Sequence, residues 1–339
     1  MNYYGNPILN ESSTLISWLL TGDVSIQYQV YRDLLGVDKL ELQKRIANEG
    51  WGAKLLSLRK ANGHWGRDFY QPKWISSHYT LLDLKNLGIA KDIKEIKETI
   101  GLILKTRKSS DGGINPAKTV PNSDVCVNGM FLNYASYFEI DEVELKSIVD
   151  FLLLQQMPDG GFNCFSNQGG AKHSSLHTTI SVLEGILEFS KNGYQYRLDE
   201  LKKSQKESEE FILDHQLFKS HRTGQIIDKR FLMLSYPSRW RYDILRALDY
   251  FQSSNLDCRQ AGHSIIQPTC RMAGDPIDSR MIDAVEVLLK KRCSNGTWPL
   301  QAKHPGQTHF DMEKTGNPSR WNTLRALRVL KWVGINVGV

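Results

Sequence analysis

Apolar positions along this chain fall into short stripes that come in pairs. AKLLSLRK, IGLILKTRK, VDFLLLQQ, EEFILDHQL and AVEVLLKKR each set apolar residues at helical spacing with charged residues between them, the pattern of a helix with one face in a core. Each runs into a turn that contains glycine: ANGHW (61–65), SDGGI (110–114), PDGGF (158–162), RTGQI (222–226) and SNGTW (294–298). Lys or Arg in a last helical turn suits the negative end of the helix dipole, and glycine tolerates the left-handed conformation that ends a helix. After a polar loop comes a less charged run: SSHYTLLDLKNLG, DVCVNGMFLNYASYF, SSLHTTISVLEGIL, PSRWRYDILRALDYF and PSRWNTLRALRVLKW, several opening on Ser or Asp as N-cap residues do. Near the N-terminus, STLISWLL-TGD-VSIQYQVYRDLLG supplies a shortened sixth pair.

The spacing of these units is a repeat. Gly63, Gly112 and Gly160 are 49 and 48 residues apart, and the later intervals, to Gly224 and Gly296, stretch to 64 and 72. Six helix pairs with the charged helix first and the apolar helix second predict an all-α (α/α)6 toroid, one domain over residues 1–339, with the second helices inside. An open stack of helix pairs is the competing arrangement, but stacks keep a tighter period and shorter loops. In a ring, the inner helices point their N-termini at one mouth, where loops 62–75, 111–124, 159–174, 223–238 and 295–319 gather. The unpaired N–H groups there favour anions.

Composition narrows the classes. Of 339 residues, 40% are apolar and 24% charged, as in globular proteins. The net charge of +6 is spread over both halves with no basic block, which argues for solvated helix faces rather than a nucleic-acid surface and still helps an anionic substrate arrive. No apolar run approaches the ~18 residues of a membrane span, while a peripheral membrane contact stays compatible. MNYYGNPILNESS lacks the basic start and apolar core of a secretory signal, and five scattered cysteines (126, 164, 258, 270, 293) contain no C-x-x-C, so a reduced, cytoplasmic setting is expected. Cys258, Cys270 and Cys293 have no partner pattern and read as packing residues.

Gln156-x3-Gly160-x-Phe162, preceded by Phe151-Leu152, resembles the QW repeat of squalene and oxidosqualene cyclases, which protein prenyltransferase β-subunits share more loosely. Gly63-x-Trp65 and Gly296-x-Trp298 are similar, with Arg59 and Arg292 in place of the glutamine, and Gly112-x-Ile114 is the weakest copy. The resemblance covers most of the chain as repeats and implies the toroid, but not a reaction. The chain departs from the cyclases in having about half their length, no Asp-x-Asp-Asp acid, and no Asp-Asp pair anywhere. Asp124-Val-Cys126 at the start of one apolar helix and His177 on the next resemble the zinc ligands of prenyltransferase β-subunits in type, order and position.

Residues two apart do not share a helix face, so Asp124 and Cys126 converge only if Asp124 is the N-cap. Zinc takes carboxylate, Cys and His tetrahedrally. Asp124, Cys126 and His177 leave one position open, as a catalytic site needs, whereas Cys164 as a fourth ligand closes the sphere into a structural one. His173 lies four residues before His177, on the same face if both are helical, and is read as supporting rather than ligating. The bland reading is that Asp124 only caps its helix and Cys126 only packs. Without metal, Asp124 is the candidate general acid, at a pKa raised by burial.

Trp74, His78, Tyr79, Phe162, Arg239, Trp240, Tyr242, Arg320 and Trp321 cluster at the loops and inner-helix starts and are the candidate lining of an aromatic substrate cavity at that mouth. Arg239 and Arg320, in the duplicated Pro-Ser-Arg-Trp, oppose the helix dipole and ask for an anion, either a carboxylate of the chain or a substrate phosphate. With these features, the resemblance implies an isoprenoid-handling enzyme of the prenyltransferase or terpene cyclase kind, with zinc and an apolar small-molecule substrate. The alternatives are a carbohydrate-active (α/α)6 hydrolase or lyase, or a non-catalytic toroid that binds lipid or peptide and carries structural zinc.

Overall fold

The computed structural model describes residues 13–117, 119–167, 169–260 and 277–335, without the side chains of 255–260. The packing roles expected of Cys258 and Cys270 lie outside this description, as does the first part of the N-terminal segment. The described chain is mostly helical, with a single two-stranded ribbon.

The paired stripes become paired helices. α1 (Thr14–Leu20) leads to α2 (Val24–Gln29), which continues as a π-helical segment, Val30–Leu35. α3 (Leu40–Arg45) and α4 (Gly50–Ser57) precede α5 (Ser77–Leu87). Then α6 (Lys94–Arg107) pairs with α7 (Val125–Tyr137), α8 (Glu142–Leu154) with α9 (Leu176–Lys191), α10 (Leu198–Asp214) with α11 (Ile244–Gln260), and α12 (Ile282–Lys290) with α13 (Arg320–Val333).

The two sets bury themselves differently. α7 is buried at every residue from Val125 to Ser136, whereas α6 buries only the stripe Ile96, Thr99, Ile100, Ile103 and Leu104. α10 likewise buries one face and turns Lys203, Lys206 and Glu207 outward. The second helices pack on one another in chain order, α5 on α7, α7 on α9, α9 on α11 and α11 on α13, and α13 then packs on the π-helical segment. Gln29 at the end of α2 donates to the Asn86 carbonyl in α5, 2.9 Å away, so the last neighbour meets the first.

The glycine turns repeat atom by atom. Gly63, Gly112, Gly160, Gly224 and Gly296 all have positive φ, between 67° and 88°, where a side chain would be strained. A pair of backbone bonds closes each turn, as in Gly160 N–H to the Met157 carbonyl and Met157 N–H to the Gly161 carbonyl, both 2.9 Å. In four of the five turns a side chain of the following second helix then takes the next N–H: Ser77 for Trp65, Asn128 for Ile114, Thr179 for Phe162 and Thr323 for Trp298. Both tryptophan indoles donate back to the preceding helix, to Leu55 and Leu288 carbonyls at 2.7 Å. Gln156 and Arg292 donate to the carbonyls of Gly160 and Gly296, so arginine does in one copy what glutamine does in another.

Loops 62–75, 223–238 and 295–319 touch through Trp74 to Gln307 and Leu234 to Gln301, and loops 111–124 and 159–174 through Asn167 to Ser123. No described helix is long and apolar enough to cross a membrane.

α7 and α9 meet backbone to backbone. A Cβ on Gly129 would lie 2.7 Å from the Ser181 carbonyl oxygen, and one on Gly185 would lie 2.4 Å from that of Gly129. Gly185→Ala forces the helices apart. It is expected to cost about 1–3 kcal/mol by overpacking, partly offset by about 1 kcal/mol of helix propensity. A lowered midpoint of urea unfolding followed by circular dichroism checks this.

Candidate metal centre

Asp124 is the N-cap of α7, in extended conformation, and its side chain makes no capping hydrogen bond. It is free instead to meet Cys126, whose Sγ donates to Asp124 Oδ1 at 3.2 Å. Cys164 arrives from the loop that follows the PDGGF turn. Its Sγ accepts the Cys126 backbone N–H at 3.2 Å and the Thr178 hydroxyl at 3.4 Å. The ligand atoms of Asp124, Cys126 and Cys164 all lie within 4.8 Å of one another.

These residues fit a thiophilic divalent metal. Bond lengths of about 2.3 Å to sulfur and 2.0 Å to oxygen put tetrahedral donors about 3.5–3.8 Å apart, a small adjustment from what is seen. Two thiols and a carboxylate suit zinc better than calcium or magnesium, which prefer all-oxygen shells. The Cys126 thiol is pushed well above the ordinary thiol range by its hydrogen bond with Cys164 and by burial, with Asp124 adding to the effect. Metal binding here therefore displaces thiol protons.

His177 is not part of this group. Its Nδ1 accepts the Tyr242 backbone N–H at 2.8 Å, and its ring stands edge-on to Phe231 and Trp240. Burial, with Arg246, Arg241 and Arg230 nearby, lowers its pKa to about 4, so the ring is neutral and its proton sits on Nε2. With one nitrogen occupied and the other protonated, no lone pair is left for a metal. His173 lies exposed in the loop before α9, which begins only at Leu176, so the pair of histidines on one helix face does not form.

The candidate lining residues turn out to be packed. Trp74 is buried and donates to the Pro305 carbonyl at 2.8 Å, under the 295–319 loop. His78 is enclosed by Phe69, Tyr70, Tyr79 and Tyr134, and Tyr79 shares a hydrogen bond with Tyr70 at 3.0 Å. Phe162 and Tyr242 are core residues, the latter donating to the Leu217 carbonyl. Trp321 stacks on Tyr236, centroids 4.6 Å apart. Arg239 finds its anion in buried Asp83, at 2.5 Å. Arg320 donates to the Trp18 carbonyl and lies over the Trp18 ring, while Glu313 accepts its backbone N–H. Both arginines thus take partners from the chain.

The large cavity, about 620 Å³, lies elsewhere. It is bounded largely by the middle and C-terminal parts of the second helix of each pair, and its wall is charged, with Arg32, Asp33, Lys85, Glu184, Glu188, Arg246, Asp249, Arg325 and Arg328 among the residues. This differs from an aromatic cavity at the inner-helix N-termini. The reason is that the aromatics interlock with the long loops before the second helices, while those helices turn charged side chains to the cavity. One signal was present in the sequence: Glu184 and Glu188, Arg246 and Asp249, and Arg325 and Arg328 sit three or four apart within apolar helices, on one buried face each.

The chain matches no protein-family model and no curated protein.

Two outcomes are expected. Cys126→Ala and Cys164→Ala each abolish metal binding by elemental analysis after zinc loading and dialysis, whereas His177→Ala retains it. Burial, with Lys73, lowers the pKa of His78 to about 3, below the ordinary 6.5 of an unfolded chain. The unfolded state therefore binds the extra proton between these values, and stability falls as pH drops from 6.5 toward 3, by at most about 1.4 kcal/mol per pH unit from this residue. Chemical denaturation across that range should show a shallower loss in His78→Gln.

Proposed function

We propose that the chain is a zinc protein built as an (α/α)6 toroid of the terpene cyclase and prenyltransferase type, with zinc held by Asp124, Cys126 and Cys164 at the loop end of the ring. The ring is supported by the neighbour order of the inner helices and by the link from α2 back to α5. The metal reading rests on one observation, the convergence of the three donor groups.

Three protein ligands leave a fourth position, and Asp124 and Cys164 are only half buried, so a small molecule can reach it. Bound zinc lowers the pKa of a water or thiol in that position and makes it a nucleophile near neutral pH. The protein's part is to hold the donors. Thr178 and the Cys126 backbone N–H both donate to Cys164 Sγ, which fixes the sulfur and stabilises its negative charge. We read the protein as an enzyme that activates such a nucleophile.

The cavity wall weakens the isoprenoid part of the expectation. A hydrocarbon chain gains by leaving water for an apolar lining, and here it would have to lie against ion pairs. The carbohydrate alternative needs a carboxyl held protonated to act as acid. The cavity acids do not supply one in Asp33 or Glu188. Burial alone would raise both, but Arg32 and Arg328 outweigh it at Asp33, and Lys85 and Lys191 at Glu188, so both lie below the usual range. A structural zinc is the second reading, favoured by the 295–319 loop, which seals the adjoining end through Trp74 and a His309–Thr80 hydrogen bond of 2.9 Å.

Cobalt(II) loading separates the two. An open site is expected to give a thiolate-to-cobalt charge-transfer band and visible absorption that shifts when a small thiol such as mercaptoethanol is added. A spectrum that forms but ignores added thiol would support the structural role, and the absence of a thiolate band would remove the metal site itself.

A further inference from the structure

We infer that the central cavity is a binding site for a small organic oxyanion, a carboxylate or phosphate ester, with Arg325 as its principal recognition residue. This inference stands on the charge balance of the wall and does not depend on the metal.

Most of the wall is neutral by pairing. Arg246 forms a two-pronged ion pair with Glu184, at 2.7 and 2.8 Å, and Lys85 meets Glu188 at 2.9 Å. Among the described residues the remaining part carries more cations than anions. Arg32, Arg325 and Arg328 share two carboxylates, Asp33 and Asp249. Asp33 bonds Arg32 at 2.6 Å and Arg328 at 2.9 Å. Asp249 gives a single oxygen, Oδ2, to both Arg328 at 2.8 Å and Arg325 at 3.3 Å. Among the described residues three permanent cations thus share two anions; Arg32 is exposed, whereas Arg325 and Arg328 are largely buried, and a buried guanidinium with unmet donors is costly unless an anion completes it.

Arg325 is where the deficit falls. The residue is 5% exposed, yet of its five N–H donors the contact shown is the long bond to Asp249, and its Nη1 is buried without a partner. Its guanidinium also stands 6.0 Å from the Tyr236 ring, which together with Trp321 gives the same wall an aromatic surface. A planar guanidinium with unused donors in a low-dielectric pocket binds carboxylate or phosphate in two-pronged fashion. The cavity volume, about 620 Å³, falls within the range of small-molecule sites, so the anion belongs to an organic molecule rather than a bare ion.

The test uses the full-length protein, calorimetric titration, and three probes: inorganic phosphate, succinate and glucose 6-phosphate. At least one is expected to bind saturably near one per chain, the two smaller probes telling phosphate from carboxylate. Arg325→Met keeps the stem, removes the charge and leaves Arg32 and Arg328 facing Asp33 and Asp249 two against two. It should weaken binding at least tenfold while keeping or raising the melting temperature of the free protein. An arginine with a merely structural role would lower that temperature. Should Arg325→Met fail to fold, Ser253→Trp narrows the cavity without touching the ion pairs and should also abolish binding. Cys126→Ala should bind as the wild type does. The inference is overturned if no probe binds, if the folded Arg325→Met or Ser253→Trp binds as well as wild type, or if Cys126→Ala is the variant that loses binding.

Discussion

The close contact of α7 and α9 governs the rest. Gly129 and Gly185 let these two backbones touch, with contact distances too short for any side chain between them. That approach sets the distance between the start of α7, where Asp124 and Cys126 stand, and the loop entering α9, which carries Cys164. Thr178, in the first turn of α9, bonds the Cys164 sulfur, so the loop is tied to the helix that α7 packs against. Helix packing and donor geometry are therefore one constraint, and a wider helix pair would separate the sulfurs.

The same packing explains why the two ends of the second helices differ in chemistry. At the N-terminal end, long loops bring Trp74, Tyr70 and Phe231 to the helix starts, where Trp74 and Tyr70 pack on Tyr79 of α5 and Phe231 packs on Tyr242. Toward the C-terminal end the connections from α5 to α6, α7 to α8 and α9 to α10 are short. There the facing side chains are Arg, Lys, Asp and Glu, which hold the helices apart by ion pairs across a cavity. Buried pairs of this kind add little net stability over apolar packing. Their presence in helices that are otherwise apolar makes sense as recognition rather than as support.

Much of the fold could be read from residues whose roles are local. Glycine in each turn adopts positive φ, the apolar second helices are buried, and Asp124 stands at the N-cap position of α7, all set by chemistry within a few residues. What could not be read depends on partners far away in the chain. Arg239 meets Asp83 and Arg328 meets Asp33, with no sequence mark to join them. His177 had the right type and order for a ligand, but a backbone N–H from Tyr242 occupies its Nδ1, and such a bond leaves no trace in the residue pattern. Cys164 was legible as a candidate fourth ligand from its place in the loop before α9, but its approach to Cys126 depends on the helix contact.

The most direct measurement of the central claim is X-ray absorption at the zinc edge on the zinc-loaded, full-length protein. Two sulfurs at about 2.3 Å and one or two oxygens at about 2.0–2.2 Å are predicted. A shell of nitrogen and oxygen without sulfur, or failure to retain zinc, would contradict the account.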